Sequence, residues 1–183
     1  SRLSTHYAMC DVKTTQKERH ICMVTSAVAP GTGRTNIPSD IAQEVEAFEA
    51  LTTDEQLGVL WVLYDNMGGS ITPAAPGAAN TQFTQGLFET VKGMEQDAQM
   101  AFMRDLVENN KTEETEAYST FDNDNKLVFW YQLAEGMAAG DVIPVPDNYE
   151  LSGAASQVFG KITALDFNQQ ITLLRYAVVD MGA

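Results

Sequence analysis

The amino-acid sequence predicts an all-α fold. Apolar residues recur every three or four positions along most of the chain from residue 37 onward, which is the period of an amphipathic helix. Residues that favour helix N-termini precede these segments, and glycines follow several of them. No stretch of useful length alternates between apolar and polar residues as a half-buried strand does. These three observations together favour helices and exclude a substantial β-sheet.

The first two predicted helices lie between residues 38 and 69. Pro38 is a favourable first-turn residue, and the apolar positions that follow it have helical spacing. Thr52 and Glu55 have the spacing of a capping box, so the second helix begins there and ends at Gly68 and Gly69. The next segment, ITPAAPGAAN, is rich in proline and glycine and predicts a turn-rich connection. The apolar residues of the first helix are Ile41, Val45 and Phe48.

Two more helices are predicted at residues 81–92 and 95–109, separated at Gly93. Asn110 and the polar sequence NNKTEETE end the second of them. A further helix covers residues 123–139 and stops at Gly140.

The C-terminal part of the chain predicts an extended segment and two helices. Residues 142–146, VIPVP, are predicted to be extended because each proline disfavours the α conformation of the residue before it. Ser152 begins a helix that continues to residue 164. Asp166 caps the last helix, which ends at Gly182.

The second and last predicted helices belong to an internal repeat. LTTDEQLGVLWVLYDNMG (51–68) aligns without gaps with LDFNQQITLLRYAVVDMG (165–182). If the repeat is a true duplication, two helical sub-bundles share a seam, and ligands commonly bind at such seams. A chance similarity between two capped amphipathic helices is the alternative.

Charge divides the chain of 183 residues into two parts. Residues 1–36 carry five basic and two acidic side chains and end in the linker-like sequence APGTGRTN. Residues 37–183 carry six basic and 23 acidic side chains, a net charge of −17. We therefore predict a basic N-terminal extension and linker at 1–36 and a helical domain at 37–183. The acidic character disfavours nucleic-acid binding, and no apolar run reaches the ~18 residues that span a membrane.

The predicted domain contains no histidine and no cysteine, and the sequence has no P-loop, GxGxxG or GxSxG motif. We therefore predict that the protein is not an enzyme. In the extension, the spacing of His6, Cys10, His20 and Cys22 matches no common zinc motif. An arm without a metal is the favoured interpretation, and a disulfide between the two cysteines is the alternative.

Three predicted helices carry large, polarisable apolar side chains. Such stripes usually form a protein core, but aromatic rings and thioethers also pack well on flat conjugated ligands. A helix of about 16 residues is ~24 Å long, which is the scale of an extended polyene. The residues are Leu57, Leu60, Trp61, Tyr64 and Met67 on one helix, Met100 and Met103 on a second, and Leu127, Trp130, Tyr131 and Met137 on a third.

Three blocks of the sequence resemble one known family. LGVLWVLYDNMGGSITPAAPGAA (57–79), KLVFWYQLAEGMAAGDVIPVPDNYELS (126–152) and NQQITLLRYAVVDMG (168–182) are similar, in this order, to the N-terminal carotenoid-binding domain of the orange carotenoid protein and to the single-domain helical carotenoid proteins of cyanobacteria. The resemblance implies two interleaved four-helix sub-bundles with a ketocarotenoid between them. Canthaxanthin, echinenone and 3'-hydroxyechinenone are the expected ligands.

The resemblance also implies which residues contact the ligand. Arg175 matches an arginine that bridges to a C-terminal domain in two-domain members of the family and docks on the phycobilisome. The sequence departs from the family pattern at Pro73, at Arg104, where a small side chain is common, and at Asp124, where a neutral amide is found. The implied carotenoid-lining residues are Leu57, Leu60, Trp61, Tyr64, Gly77, Met103, Leu127, Trp130, Glu135, Met137, Val145, Pro146, Tyr149 and Ile171.

We therefore expect a non-enzymatic, photoprotective protein that binds a ketocarotenoid and quenches singlet oxygen or carries pigment. A phycobilisome-docking quencher of excitation energy is one alternative, and a pigment-free helical adaptor is another. The expected partners are the carotenoid, the phycobilisome and a separate carrier that resembles the C-terminal domain. The expected location is cytoplasmic, at the thylakoid-associated phycobilisome if the protein docks there. Because the linker to a second domain would begin near Ala183, we expect a single-domain protein or an excised fragment.

Overall fold

In the computed structural model, residues 37–67 and 81–182 are described. Predictions for the N-terminal extension, for the connection after the second helix and for Pro73 and Gly77 lie outside these residues. All regular secondary structure in the described residues is helical, which confirms the all-α prediction. The helices are α1 (Ala42–Glu49), α2 (Thr53–Met67), α3 (Thr81–Lys92), α4 (Gln96–Glu108), α5 (Glu113–Ser119), α6 (Asn123–Ala139), α7 (Gly153–Thr163) and α8 (Phe167–Val179).

The described helices form two groups of four. Helices α1 and α2 pack on α7 and α8, which come from the other end of the sequence, and α3 to α6 form the second group. The groups meet where α2 contacts α4 and α6 and where α8 contacts α6. Because one group is built from two separate segments with the other group between them, the two are interleaved, as the resemblance implied.

The internal repeat has the same local structure in both copies. Thr52 and Glu55 form reciprocal side-chain to backbone hydrogen bonds at the start of α2, and Asp166 and Gln169 do the same at the start of α8. The residue after each capping box is a glutamine that closes the preceding turn. Gln56 Nε2 donates to the carbonyl oxygen of Leu51 at 3.0 Å, and Gln170 Nε2 donates to that of Leu165 at 2.8 Å. These matching side-chain contacts support a true repeat.

Helix α5 is the main element that the sequence-based prediction missed. The segment was predicted to be a polar connection, but Thr112 and Thr115 form a capping box that begins a helix there. Of its seven residues only Thr115 and Tyr118 are buried, so the apolar pattern is too short to indicate a helix. Tyr118 matters most, because its side chain is fully buried between the two groups of helices.

The chain after α8 turns back across α4 and α5. Helix α8 ends at Val179 and not at Gly182, three residues before the predicted end. Gly182 has a φ of +64° and donates its N–H to the carbonyl oxygen of Leu106 at 2.9 Å. A Cβ atom at Gly182 would lie 2.8 Å from the Tyr118 ring, so both the conformation and the close approach favour glycine. The ammonium of Lys126 donates to the carbonyl oxygen of Val179 at 2.7 Å and caps this helix end.

The side chain of Glu55 links the N-terminus of α2 to the N-terminus of α7 by hydrogen bonds. Its carboxylate accepts the backbone N–H of Thr52 at 3.0 Å and the hydroxyl of Ser152, the N-cap of α7, at 2.5 Å. The hydrogen bonds from Ser152 and Thr52 lower the pKa of Glu55 below its ordinary value of 4.5. A carboxyl whose pKa is lowered in the folded state stabilises the protein above the pKa of the unfolded state and loses this effect as pH falls through the folded pKa.

We expect Glu55→Gln to lower the urea midpoint of unfolding at neutral pH. The difference from the wild type should shrink as the pH falls from the ordinary value of 4.5 through the lowered pKa of the folded protein, because the wild-type carboxyl becomes protonated over that range. Unfolding followed by circular dichroism at several pH values measures this difference. Glu150→Gln, at an exposed position, is the matched control. An equal difference at neutral pH and at about pH 3 would contradict the assignment.

Candidate functional site

A cavity of about 310 Å³ lies between α2, α4 and α6. Ligand-binding pockets commonly have volumes of about 300–1,000 Å³. Within the described residues, the segment between α6 and α7 forms a further wall through residues at positions 143–149. The cavity therefore lies where the two groups of helices meet.

Each of the three helices supplies a stripe of residues with the same spacing. Side chains at positions i, i+3, i+4 and i+7 lie on one face of a helix, so each stripe faces the cavity along its length. Helix α2 contributes Leu57, Leu60, Trp61 and Tyr64, α6 contributes Trp130, Leu133, Ala134 and Met137, and α4 contributes Met100, Met103 and Arg104.

The wall segment after α6 has no regular secondary structure, and its predicted extended conformation stays a prediction. It begins at Val142, whose N–H donates to the carbonyl oxygen of Gly136 at 3.0 Å. A Cβ atom at Gly136 would lie 2.8 Å from a methyl group of Val142, so the glycine permits this close approach. Ile143 then contributes its side chain to the cavity, together with Pro144, Val145 and Pro146.

Buried Gln99 on α4 fixes the position of this wall segment. Its side chain is 2% exposed, and its Oε1 accepts the backbone N–H of Ile143 at 2.6 Å. Its Nε2 donates to the carbonyl oxygen of Val91 at 3.0 Å. Breaking either hydrogen bond would leave a buried polar group unpaired, which costs free energy. The side-chain amide of Gln99 therefore fixes the wall segment relative to α4 and the end of α3.

Tyr149 completes the wall next to the N-terminal half of α2. Its phenol oxygen occupies the space that a Cβ atom at Gly58 would need. Burial raises the pKa of Tyr149, and the nearby charges of Asp54 and Glu55 raise it further. The phenol is therefore neutral and packs against the bare backbone of α2.

Two aromatic side chains of the cavity wall, Tyr64 and Trp130, are positioned by buried hydrogen bonds on the side that faces away from the cavity. Tyr64 donates its hydroxyl to the carbonyl oxygen of Leu127 at 3.1 Å. Trp130 donates its indole N–H to the hydroxyl of Tyr118 at 3.0 Å, and Tyr118 donates to the carbonyl oxygen of Val178 at 2.8 Å. Burial raises the pKa of Tyr64 and of Tyr118, so both phenols keep the proton that they donate. The hydroxyl of Tyr64 and the indole N–H of Trp130 thus form hydrogen bonds away from the cavity, and the two rings line it.

The cavity lining includes one ion pair, formed by Asp54 on α2 and Arg104 on α4. The guanidinium is bidentate, with Nε donating to Oδ1 at 2.7 Å and Nη2 donating to Oδ2 at 3.1 Å. The pairing raises the pKa of Arg104 and lowers that of Asp54. Both side chains are about half exposed or more, so the pair lies at the mouth of the cavity.

The structure brings most of the predicted ligand-lining residues to this one cavity. Leu127 is buried behind Tyr64, Glu135 is exposed beside Tyr131, and Ile171 is half-buried on α8, so these three do not line the cavity. Their contact with a ligand stays a prediction. The residues that do line it are Leu57, Leu60, Trp61, Tyr64, Met103, Trp130, Met137, Val145, Pro146 and Tyr149.

Arg175, the predicted docking residue, lies on α8 and is paired within the chain. Its Nη2 donates to Oδ1 of Asp124 at 2.9 Å, and both side chains are about half exposed. Its Nε is buried and has no hydrogen-bond partner within the described part of the chain. Asp124, which departs from the family pattern, is therefore a direct partner of Arg175.

The sequence reasoning missed several residues that the structure places in or behind the wall. Gly58 and Ala134 are small and interrupt aromatic stripes, and Gln99 is a polar residue in a buried position. The spacing of Leu133 and Ala134 relative to Trp130 and Met137 could have indicated the complete stripe on α6. The remaining lining residues outside the predicted set are Asp54, Met100, Arg104, Ile143 and Pro144.

This arrangement favours binding of an apolar ligand over chemical catalysis. The lining consists mainly of aliphatic, aromatic and thioether groups, and its two charged side chains neutralise each other. In the described residues, no group of three or more His, Cys, Asp or Glu side chains is placed to hold a metal ion. None of the described helices is long and apolar enough to cross a membrane. The fold and the cavity define an all-helical ligand-binding protein.

Comparison with known proteins gives the family. Residues 34–183 match the sequence profile described as "Orange carotenoid protein, N-terminal". The chain belongs to this family, which confirms the resemblance found in the sequence.

Three similar proteins illustrate the match. An orange carotenoid-binding domain-containing protein of Nostoc sp. PCC 7120 is 47% identical over 78% of this chain and 83% of its own length. The solved structure of the Red Carotenoid Protein of Anabaena (Nostoc) sp. PCC 7120 binding canthaxanthin has a TM-score of 0.70 and 34% identity, over 79% of this chain and 99% of that one. The orange carotenoid-binding protein of Limnospira maxima is 38% identical over 82% of this chain, which spans about half (49%) of that protein. These relatives are named as binding proteins and not as enzymes, in agreement with the prediction from the sequence.

We expect Tyr118→Phe to change the cavity without unfolding the protein. The substitution keeps the ring but leaves the buried indole N–H of Trp130 without its acceptor, which costs about 1–3 kcal/mol. The tryptophan emission maximum and the near-ultraviolet circular dichroism should change, whereas the far-ultraviolet spectrum should not.

Tyr131→Phe is the matched control, because Tyr131 loses a hydroxyl that interacts with exposed Glu135 outside the cavity. Identical tryptophan spectra for Tyr118→Phe and the wild type would show that the hydrogen bond does not position the indole.

Proposed function

We propose that this protein binds a ketocarotenoid in the cavity between α2, α4 and α6 and protects against singlet oxygen or carries pigment. The observation that carries the proposal is an apolar cavity with both tryptophans of the chain in its wall. Canthaxanthin is the first candidate ligand, because it is bound in a solved structure of similar fold. The bound carotenoid would supply low-lying excited states that accept energy from singlet oxygen.

The residues present fit such a ligand. The rings of Tyr64 and Trp130 line the cavity while their polar atoms bond behind it, so the wall offers mainly carbon and sulfur surfaces. Aromatic faces and the thioethers of Met103 and Met137 pack favourably on a flat conjugated chain. Apolar surface removed from water contributes about 25 cal/mol per Å² to binding.

The dimensions also agree with an elongated ligand held by one end. From Asp54 at the mouth to Tyr64 in the interior, ten residues of helix span about 15 Å. This length is shorter than an extended polyene, so we propose that the cavity holds one end ring and the adjoining part of the chain. Trp61, Tyr64 and Trp130 would hold that part by ring contacts and exclude water from it.

Protein produced in a canthaxanthin-accumulating host should purify with a visible absorption band. Ala134→Phe places a ring inside the cavity, because Ala134 is part of its lining, and should abolish the band. Ala138→Phe, on the same helix at an exposed position, should keep it. Absorption spectra and pigment extraction from the three folded proteins measure the outcome.

Two results would contradict the proposal. A folded wild-type protein that remains colourless would exclude carotenoid binding under these conditions and favour the pigment-free adaptor. Equal pigment content in the Ala134→Phe and Ala138→Phe variants would place the ligand outside this cavity.

Docking on the phycobilisome is the second candidate function. The ion pair between Arg175 on α8 and Asp124 on α6 argues against it. Arg175 is engaged by Asp124, and residues 37–183 have a net charge of −17, which leaves little basic surface. We therefore propose that scavenging or carriage is the main role. Interaction with a separate carotenoid carrier is compatible with this role.

We expect the pigment-loaded protein to leave the fluorescence of isolated phycobilisomes unchanged. Asp124→Asn removes the charge that pairs with Arg175 and so frees the guanidinium for docking. If any variant quenches phycobilisome fluorescence weakly, we expect it to be this one. Steady-state fluorescence measures both. Strong quenching by the wild type that Arg175→Ala abolishes would instead establish docking through Arg175.

A further inference from the structure

The mouth of the cavity differs chemically from its interior. Most of the lining is apolar, but Asp54 and Arg104 supply a carboxylate and a guanidinium at the end where α2 begins. Tyr64 lies about 15 Å further along α2, where it is buried. The cavity is therefore built for a ligand with a long apolar body and a polar end.

Arg104 retains donor capacity after it has paired with Asp54. A guanidinium carries five N–H donors, and the ion pair uses one on Nε and one on Nη2. Arg104 itself is part of the cavity lining, next to Met103 on α4. A carbonyl oxygen is the natural acceptor for these N–H groups, and a hydroxyl group could additionally donate to the Asp54 carboxylate.

We propose that Arg104 is a specificity-determining residue that selects a carotenoid whose end ring carries a keto or hydroxyl oxygen over a hydrocarbon ring. This inference rests on the proposed carotenoid-binding function. Arg104 hydrogen-bonds the ring oxygen at the mouth, while Asp54 holds the guanidinium in place. A hydrocarbon ring at the same position would cover the guanidinium and remove water from it without offering an acceptor, which lowers its affinity.

An ion pair at this place contributes little to folding. Exposed ion pairs typically stabilise proteins by about 0–1 kcal/mol, and the two side chains are 46% and 65% exposed. The pair of Lys92 and Asp141, with 40% and 43% exposure, is similar in kind and lies outside the cavity lining. Variants of the two pairs can therefore be compared at equal stability.

The experiment compares the affinities of the pigment-free protein for canthaxanthin and β-carotene, both delivered in the same detergent. The wild type should prefer canthaxanthin by about tenfold or more, as expected for one hydrogen bond to a charged group. Arg104→Met, which keeps an unbranched apolar side chain, should bring the ratio close to one by weakening canthaxanthin. Arg104→Lys should have an intermediate ratio, and the control Lys92→Met should keep the wild-type ratio. Thermal unfolding of each variant checks that all are folded.

The outcomes separate this inference from the proposed function. If the wild type binds both carotenoids equally, or if Arg104→Met keeps the full preference, the role of Arg104 is refuted while carotenoid binding stands. If no protein binds either carotenoid, the proposed function fails, and this inference fails with it.

Discussion

The hydrogen bond from the indole N–H of Trp130 to the hydroxyl of Tyr118 keeps the central wall of the cavity in place. Large side chains around an apolar cavity tend to fill it, because protein interiors favour close packing. Trp130 is restrained by Tyr118, and Tyr118 is restrained by the carbonyl oxygen of Val178. Tyr64 is restrained in the same way by the carbonyl oxygen of Leu127. The open cavity thus depends on polar contacts that lie outside it.

These contacts connect the cavity to both groups of helices. Tyr118 lies on α5 and Val178 on α8, so the wall residue Trp130 is linked through Tyr118 to the group that contains α1, α2, α7 and α8. Gln99 links the wall segment after α6 to α4 and to the end of α3. In the interleaved arrangement, Trp130 and the wall segment after α6 are therefore each positioned by hydrogen bonds to other helices.

Local signals predicted the helices well, and tertiary contacts explain what was missed. The capping pair Thr52–Glu55 and the N-cap Asp166 mark helix starts in the sequence, and both are present in the structure, where Gln169 completes a capping box with Asp166. Helix α5 escaped prediction because its burial depends on Tyr118, whose partners are distant in sequence. Gln99 has no sequence signal either, since only its contacts with Val91 and Ile143 give a buried amide a structural role.

Two ion pairs show the limit of transferring a family pattern to this chain. Arg104 and Asp124 each depart from that pattern, and each is bonded to a residue on another helix. Asp124 engages Arg175 on the surface, whereas Arg104 joins Asp54 at the mouth of the cavity. The sequence marked both positions as unusual, but only the structure gives their partners and shows that Arg104, and not Asp124, lines the cavity.

Tryptophan fluorescence during a titration with canthaxanthin tests the central claim most directly. The chain has two tryptophans, and both line the cavity, so a conjugated ligand bound there lies beside both indoles. We expect nearly complete loss of tryptophan emission at one equivalent of pigment, because both donors transfer energy to the adjacent acceptor. Strong tryptophan emission from protein that carries one equivalent of bound pigment would show that the ligand lies elsewhere.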